Sequence, residues 1–129
     1  MALNKKTYFF IAISWTCLIT ILSLITISEE LSNSIAIDVD YKDKYVHFLF
    51  YLVFVLVWFL YLVKTKYLKS VKKIVLITAL LYGIVMEICQ GIFTNTRIPD
   101  VYDVLANSAG ALTGIIAINF LFRNTKTTL

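Results

Sequence analysis

The sequence predicts an all-α membrane protein: a four-transmembrane-helix bundle with both termini cytoplasmic. Three observations carry that reading. The chain of 129 residues is 60% hydrophobic and only 16% charged, with a mean hydropathy of +0.82. A soluble domain this small has too much surface for its volume to hide that much apolar area. A bilayer crossing takes about 20 apolar residues, and four such runs nearly fill the chain, so residues 1–129 read as one domain. Finally, the charges are sorted between alternate connections, as a polytopic chain requires.

The first span, about residues 7–27, follows Lys5 and Lys6. A positive flank also heads a secretory signal, but this apolar run is too long for one and no small-x-small cleavage site follows it, so it reads as an uncleaved helix. The connection at about 28–43 alternates Ile35, Ile37 and Val39 with Asp38 and Asp40. That pattern fits a short interfacial strand-like segment or a flap over the outer mouth. Span two covers about 44–63, span three about 71–93 and span four about 101–122. The short connections make spans two and three, and likewise three and four, antiparallel neighbours. Pro99, the single proline, falls in the last connection, where it rigidifies a turn without breaking a helix.

Orientation follows from the connections. Lys5 and Lys6, then Lys64, Lys66, Lys69, Lys72 and Lys73, then Arg123 and Lys126 lie in segments free of acidic residues. Glu29, Glu30, Asp38, Asp40 and Asp43 lie in the first connection, and Asp100 and Asp103 in the third. Basic residues stay on the cytoplasmic side, so connections one and three face out. The net charge of +4 therefore reflects topology and implies no nucleic acid. The partner it implies is the lipid bilayer, with the lysines at 64–73 near anionic headgroups at most. Cys17 and Cys89 differ in depth and have no metal-ligand spacing, so they are expected to be packing residues without a disulfide.

Polar residues interrupt three of the spans. Asp43 and His47 are four apart at the head of span two and share a face, with Lys44 beside them. Span three carries Glu87 and Gln90, with Gly83 and Gly91 on the same side. Asp103, Asn107, Gly110 and Gly114 make one stripe down span four. At 1.5 Å per residue, Glu87 lies on the order of 9 Å below the outer end of its helix, Asn107 at a similar depth, and His47 about a turn down. All three descend from the outer face and can converge. A carboxylate at that depth costs roughly 2–3 kcal/mol or more against lipid, so Glu87 must face the bundle and find partners among His47, Gln90, Asn107 and the loop residue Arg97. Ala106, Gly110 and Gly114 form a small-xxx-small ridge for close packing against a neighbouring helix, or for a homodimer.

Each residue also has a plain structural use. Asp43 and Asp103 suit helix N-termini as caps or first-turn acids, and His47 can serve as the hydrogen-bond partner of a carboxylate. Tyr51, Trp58, Tyr61 and Tyr67 read as core or interfacial aromatics. Glu87 is the exception, since an ionisable group inside a membrane helix points first to function.

The ordered string Asp43-Lys44-x-x-His47, Glu87-x-x-Gln90 and Arg97-x-x-Asp100-x-x-Asp103-x-x-x-Asn107-x-x-Gly110-x-x-x-Gly114 resembles the VanZ-like family of small bacterial membrane proteins, over about residues 7–122. The founder of that family is associated with resistance to the glycopeptide teicoplanin. The resemblance implies a multi-pass protein of the bacterial cytoplasmic (inner) membrane with a cell-envelope role, and it supplies no reaction.

The expected site is an outward-facing polar pocket from spans two to four that binds or modifies a lipid-linked or peptidoglycan-related molecule. His47, Glu87 and Asp103 are its catalytic candidates, as acid and base. Asp43, Lys44, Gln90, Arg97, Asp100 and Asn107 are its binding candidates, with Lys44 and Arg97 suited to a phosphate or carboxylate. The chain has no nucleophile elbow, no HExxH and no P-loop, so no enzyme class and no cofactor is assigned. One histidine plus carboxylates could hold a divalent metal, but with only one imidazole available no metal ligand set is assigned. Two other uses stay open: a non-catalytic accessory or partner-binding subunit whose buried network is structural, and ion permeation, for which four spans require an oligomer.

Overall fold

The computed structural model describes residues 3–25, 39–65, 68–95 and 98–123. These form four helices: α1, Lys5–Leu24; α2, Val39–Leu62; α3, Leu68–Phe93; and α4, Val101–Leu121. Each contains a stretch long and apolar enough to cross a membrane. Large apolar side chains such as Phe10, Leu49, Ile88 and Phe120 are exposed on all four helices, which suits a surface wetted by hydrocarbon.

The helix ends have local causes. Asn4 caps α1, its side chain accepting from the Thr7 N–H at 2.9 Å. Asp100 caps α4 in the same way, accepting from the Tyr102 N–H at 2.8 Å, with Asp103 in the first turn. The sequence offers Asp103 as a cap or a first-turn acid, and it is the latter; it does not single out Asp100 as the cap. α2 begins at Val39, five residues before the expected start, so Asp43 is an interior helical residue and not a cap. Residues 39–43 are accordingly helical, and the strand-like alternation does not hold there; Ile35, Ile37 and Asp38 lie outside the described residues. α1 stops at Leu24, short of the expected 27, with Ile25 as its C-cap.

Packing is uneven. α2 and α4, distant in sequence, share the largest interface. Gly110 and Gly114 cause it: a Cβ on Gly110 would run into the Phe48 carbonyl oxygen, and one on Gly114 would lie 3.0 Å from Val55 Cγ1. The small-residue ridge is thus used inside the chain, bringing backbone against backbone. Below it Val55, Phe59, Ala111 and Ile118 continue the core, joined by Val71, Val75 and Ala79 of α3. Gly91 is where α3 meets the turn into α4, for a Cβ there would strike the Pro99 ring.

α1 attaches differently. The Trp15 indole N–H donates to the Phe50 carbonyl at 3.0 Å, the Trp58 indole to Thr16 Oγ1 at 3.0 Å, and Gln90 Nε2 to the Ser23 carbonyl at 3.0 Å. Thr20 and Tyr82 share a hydroxyl–hydroxyl bond of 2.6 Å. Cys17 is exposed on this helix and Cys89 half-buried on α3; both are free, so Cys17 is not a core packing residue.

Candidate functional site

The heads of α2 and α4 and the tail of α3 meet at one end of the bundle, and their polar residues meet with them. His47 occupies the centre, 5% exposed. Its Nδ1 lies 3.0 Å from Asn107 Oδ1; an amide oxygen only accepts, so this nitrogen carries the proton. Nε2 lies on the other side of the ring, where Asp43 Oδ1 and Asp103 Oδ2 each stand 3.9 Å away. Both separations are too long for a hydrogen bond.

Asp103 is held from outside. Lys44 Nζ contacts Asp103 Oδ1 at 3.2 Å and Asp100 Oδ2 at 3.0 Å, tying the head of α2 to the start of α4. The Asp100 carboxyl is kept below its ordinary range, first by the Tyr102 N–H it accepts and then by Lys44.

Glu87 enters from α3 and is 4% exposed. Its Oε2 accepts the Asp100 backbone N–H at 3.3 Å, and its Oε1 lies 4.0 Å from His47 Nδ1. The N-terminus of α4 thus offers this carboxylate a backbone donor and the positive end of a helix dipole. Glu87 Oε1, Asn107 Nδ2 and Tyr51 Oη are buried without a hydrogen-bond partner among the described residues.

Of the nine candidates named from sequence, seven share this end: Asp43, Lys44, His47, Glu87, Asp100, Asp103 and Asn107. Gln90 is directed to the Ser23 carbonyl on α1 instead, so it fixes a helix and does not join His47. Arg97 lies outside the described residues. Tyr51, expected as a core or interfacial aromatic, is in the core and also stands beside the cluster: its Cε1 and the Asn107 amide nitrogen would both lie 3.3 Å from a Cβ on Gly83. The available signal was its spacing, one helical turn below His47. The apolar cavity of about 260 Å³ lined by Thr16, Phe54, Trp58, Leu62, Val75, Thr78 and Tyr82 shares no residue with this cluster.

Comparison with known families decides the kinship. The VanZ/LLP1 family model matches residues 8–123. The chain belongs to the VanZ-like family. Comparison with curated proteins and with solved structures found no match. For this VanZ-like protein, family membership and four apolar helices together establish a multi-pass membrane protein in contact with the bilayer. The VanZ-like match also spans every residue of the cluster, from Asp43 to Asn107.

Proposed function

We propose that the chain lies in the bacterial cytoplasmic membrane with both termini inside. The cluster around His47 then forms an outward-facing pocket that binds or modifies a lipid-linked or peptidoglycan-related molecule, in keeping with the family's link to glycopeptide resistance. The observation that carries this reading is the set of buried, unpaired polar atoms on Tyr51, Glu87 and Asn107. Each such atom costs about 1–3 kcal/mol when desolvated without a partner. A network serving packing alone would close its own bonds, whereas a recognition site keeps donors and acceptors for what it binds. Sorting of the lysines to the opposite connections supports the orientation.

A second reading, a non-catalytic accessory subunit with a structural network, draws on Lys44, which links two α4-proximal carboxylates to α2. Thermal melting of purified wild type and Glu87→Gln, with envelope lipids and glycopeptides added in turn, separates the two. The amide keeps an acceptor for the Asp100 N–H, so the fold survives. A ligand that raises the melting temperature of wild type but not of the variant supports the pocket. No shift with any ligand, together with a large loss of stability in the variant, would sink it in favour of the structural network.

A further inference from the structure

We infer that Asp43, His47 and Asp103 form a divalent-cation site at the mouth of the cluster. One ligand atom from each residue lies within 4.8 Å of the others. Nε2 is 3.9 Å from both Asp43 Oδ1 and Asp103 Oδ2, so an ion midway between the nitrogen and either oxygen would stand about 2 Å from both, the length of metal–nitrogen and metal–oxygen bonds. Asp43 and His47 are four apart on α2, the spacing that puts two ligands on one helical face. Asp103 supplies the third from α4.

The atoms behind these ligands carry the inference beyond a cluster of acids. A metal-bound histidine characteristically donates its second ring N–H to an oxygen acceptor, which fixes tautomer and ring angle. Asn107 Oδ1 does this for His47 at 3.0 Å. A ligating carboxylate is characteristically held through its other oxygen. Lys44 holds Asp103 by Oδ1, leaving Oδ2 toward Nε2. His47 is more than nine-tenths buried, and its Nε2 faces two carboxylate oxygens at 3.9 Å, too distant for a hydrogen bond and spaced for an ion between them. One nitrogen and two oxygens with open positions suit a hard or borderline ion such as Mn²⁺ or Zn²⁺. Sequence spacing leaves a histidine–carboxylate metal site open without naming its ligands; the α2–α4 packing brings Asp103 to Asp43 and His47.

The site deepens the proposed function and rests on it for its purpose. Asp43, Glu87, Asp100 and Asp103 bring four carboxylates to this end, and the Lys44 ammonium is shared by two of them. An anionic headgroup would be repelled by this end of the bundle, and a divalent ion reverses the local sign. Its open positions would then take phosphate oxygens.

The chain has one histidine, so ¹⁵N-histidine labelling of tag-free protein in detergent reports on His47 alone. Added Mn²⁺ should broaden the ring signals at stoichiometric amounts, Nε2 most, and Zn²⁺ should shift Nε2. Asp103→Asn should weaken Mn²⁺ binding at least 100-fold, and Asn107→Ala, which leaves the ligands in place, 10- to 100-fold. Ring signals unmoved by millimolar Mn²⁺ and Zn²⁺ would overturn the site. So would weak broadening that Asp103→Asn leaves unchanged. Because the wild type is read directly, a variant that fails to fold does not blunt the test. Binding of phosphate-bearing lipid vesicles in EDTA would refute the ion and keep the pocket. Stoichiometric Mn²⁺ binding without any lipid or glycopeptide effect would keep the ion and refute the pocket.

Discussion

Gly110→Ala puts the α2–α4 crossing on trial. The added methyl would be driven into the Phe48 carbonyl oxygen, which belongs to helix backbone and cannot rotate away. One helix must therefore withdraw, and the withdrawal loosens Gly114 against Val55 below and the His47–Asn107 bond above. Overpacking of this kind costs typically 1–3 kcal/mol, and a backbone obstruction places it at the upper end, about 3. Replacing glycine by alanine inside a helix returns about 1 kcal/mol of propensity. The net loss is then about 2 kcal/mol, roughly 30-fold in the folded-to-unfolded ratio. Gly83→Ala makes the graded comparison. Its methyl meets Asn107 and Tyr51 at 3.3 Å, where side chains can give by tenths of an ångström, so it should stay within about 1 kcal/mol of wild type. Equilibrium unfolding in mixed micelles measures both variants. If Gly110→Ala were as stable as wild type, α2 and α4 would not cross on this ridge, and the geometry assigned to His47 and Asn107 would fall with it.

Other outcomes follow from the same contacts. Trp15→Phe removes the indole bond to the Phe50 carbonyl while keeping an aromatic ring beside Phe50, and should cost about 0.6 kcal/mol, the mean for hydrogen bonds between membrane helices. Adding Trp58→Phe should roughly double that loss in the same unfolding assay. Lys44→Met leaves Asp103 buried without its cation and should lower the melting temperature; Lys44→Met combined with Asp103→Asn should recover most of the loss, and failure to recover would show that Lys44 acts elsewhere. The Asp100 carboxyl is held below its usual 3.8 by the Tyr102 N–H and Lys44. Its stabilising contribution is therefore complete above that value and lost as the pH falls through the lowered one. Melting curves in acid should show this limb in wild type and a smaller one in Asp100→Asn.

Much of this was legible in the chain, for a physical reason. Hydrocarbon forces every backbone polar group into a helix, so four apolar runs could only be four helices. Helical spacing likewise put Asp43 with His47, and Asp103 with Asn107 and the glycines, on common faces. What spacing cannot supply is register between helices. Gln90 shares a side with Glu87 in sequence but turns to Ser23 on α1, because the α1–α3 contact falls at its height. Tyr51 read as core because a phenol ring is mostly apolar; only the level at which α3 crosses α2 brings it beside Asn107. The helix α2 outruns its span for a related reason: hydropathy marks the apolar run, which begins at Asp43, and Val39 to Lys42 are helical before that point.

The indole and amide bonds that hold α1 have a bearing on biogenesis. α1 has the smallest buried share of any span, 17%; besides Ala12 and Ile19, which are fully buried, it is held by hydrogen bonds that involve Trp15, Trp58, Tyr82 and Gln90. Its partners, the Phe50 carbonyl and Trp58 indole on α2 and the Tyr82 hydroxyl and Gln90 amide on α3, are all in place only after α2 and α3 have been threaded. Docking of α1 must therefore wait for helices that follow it in the chain.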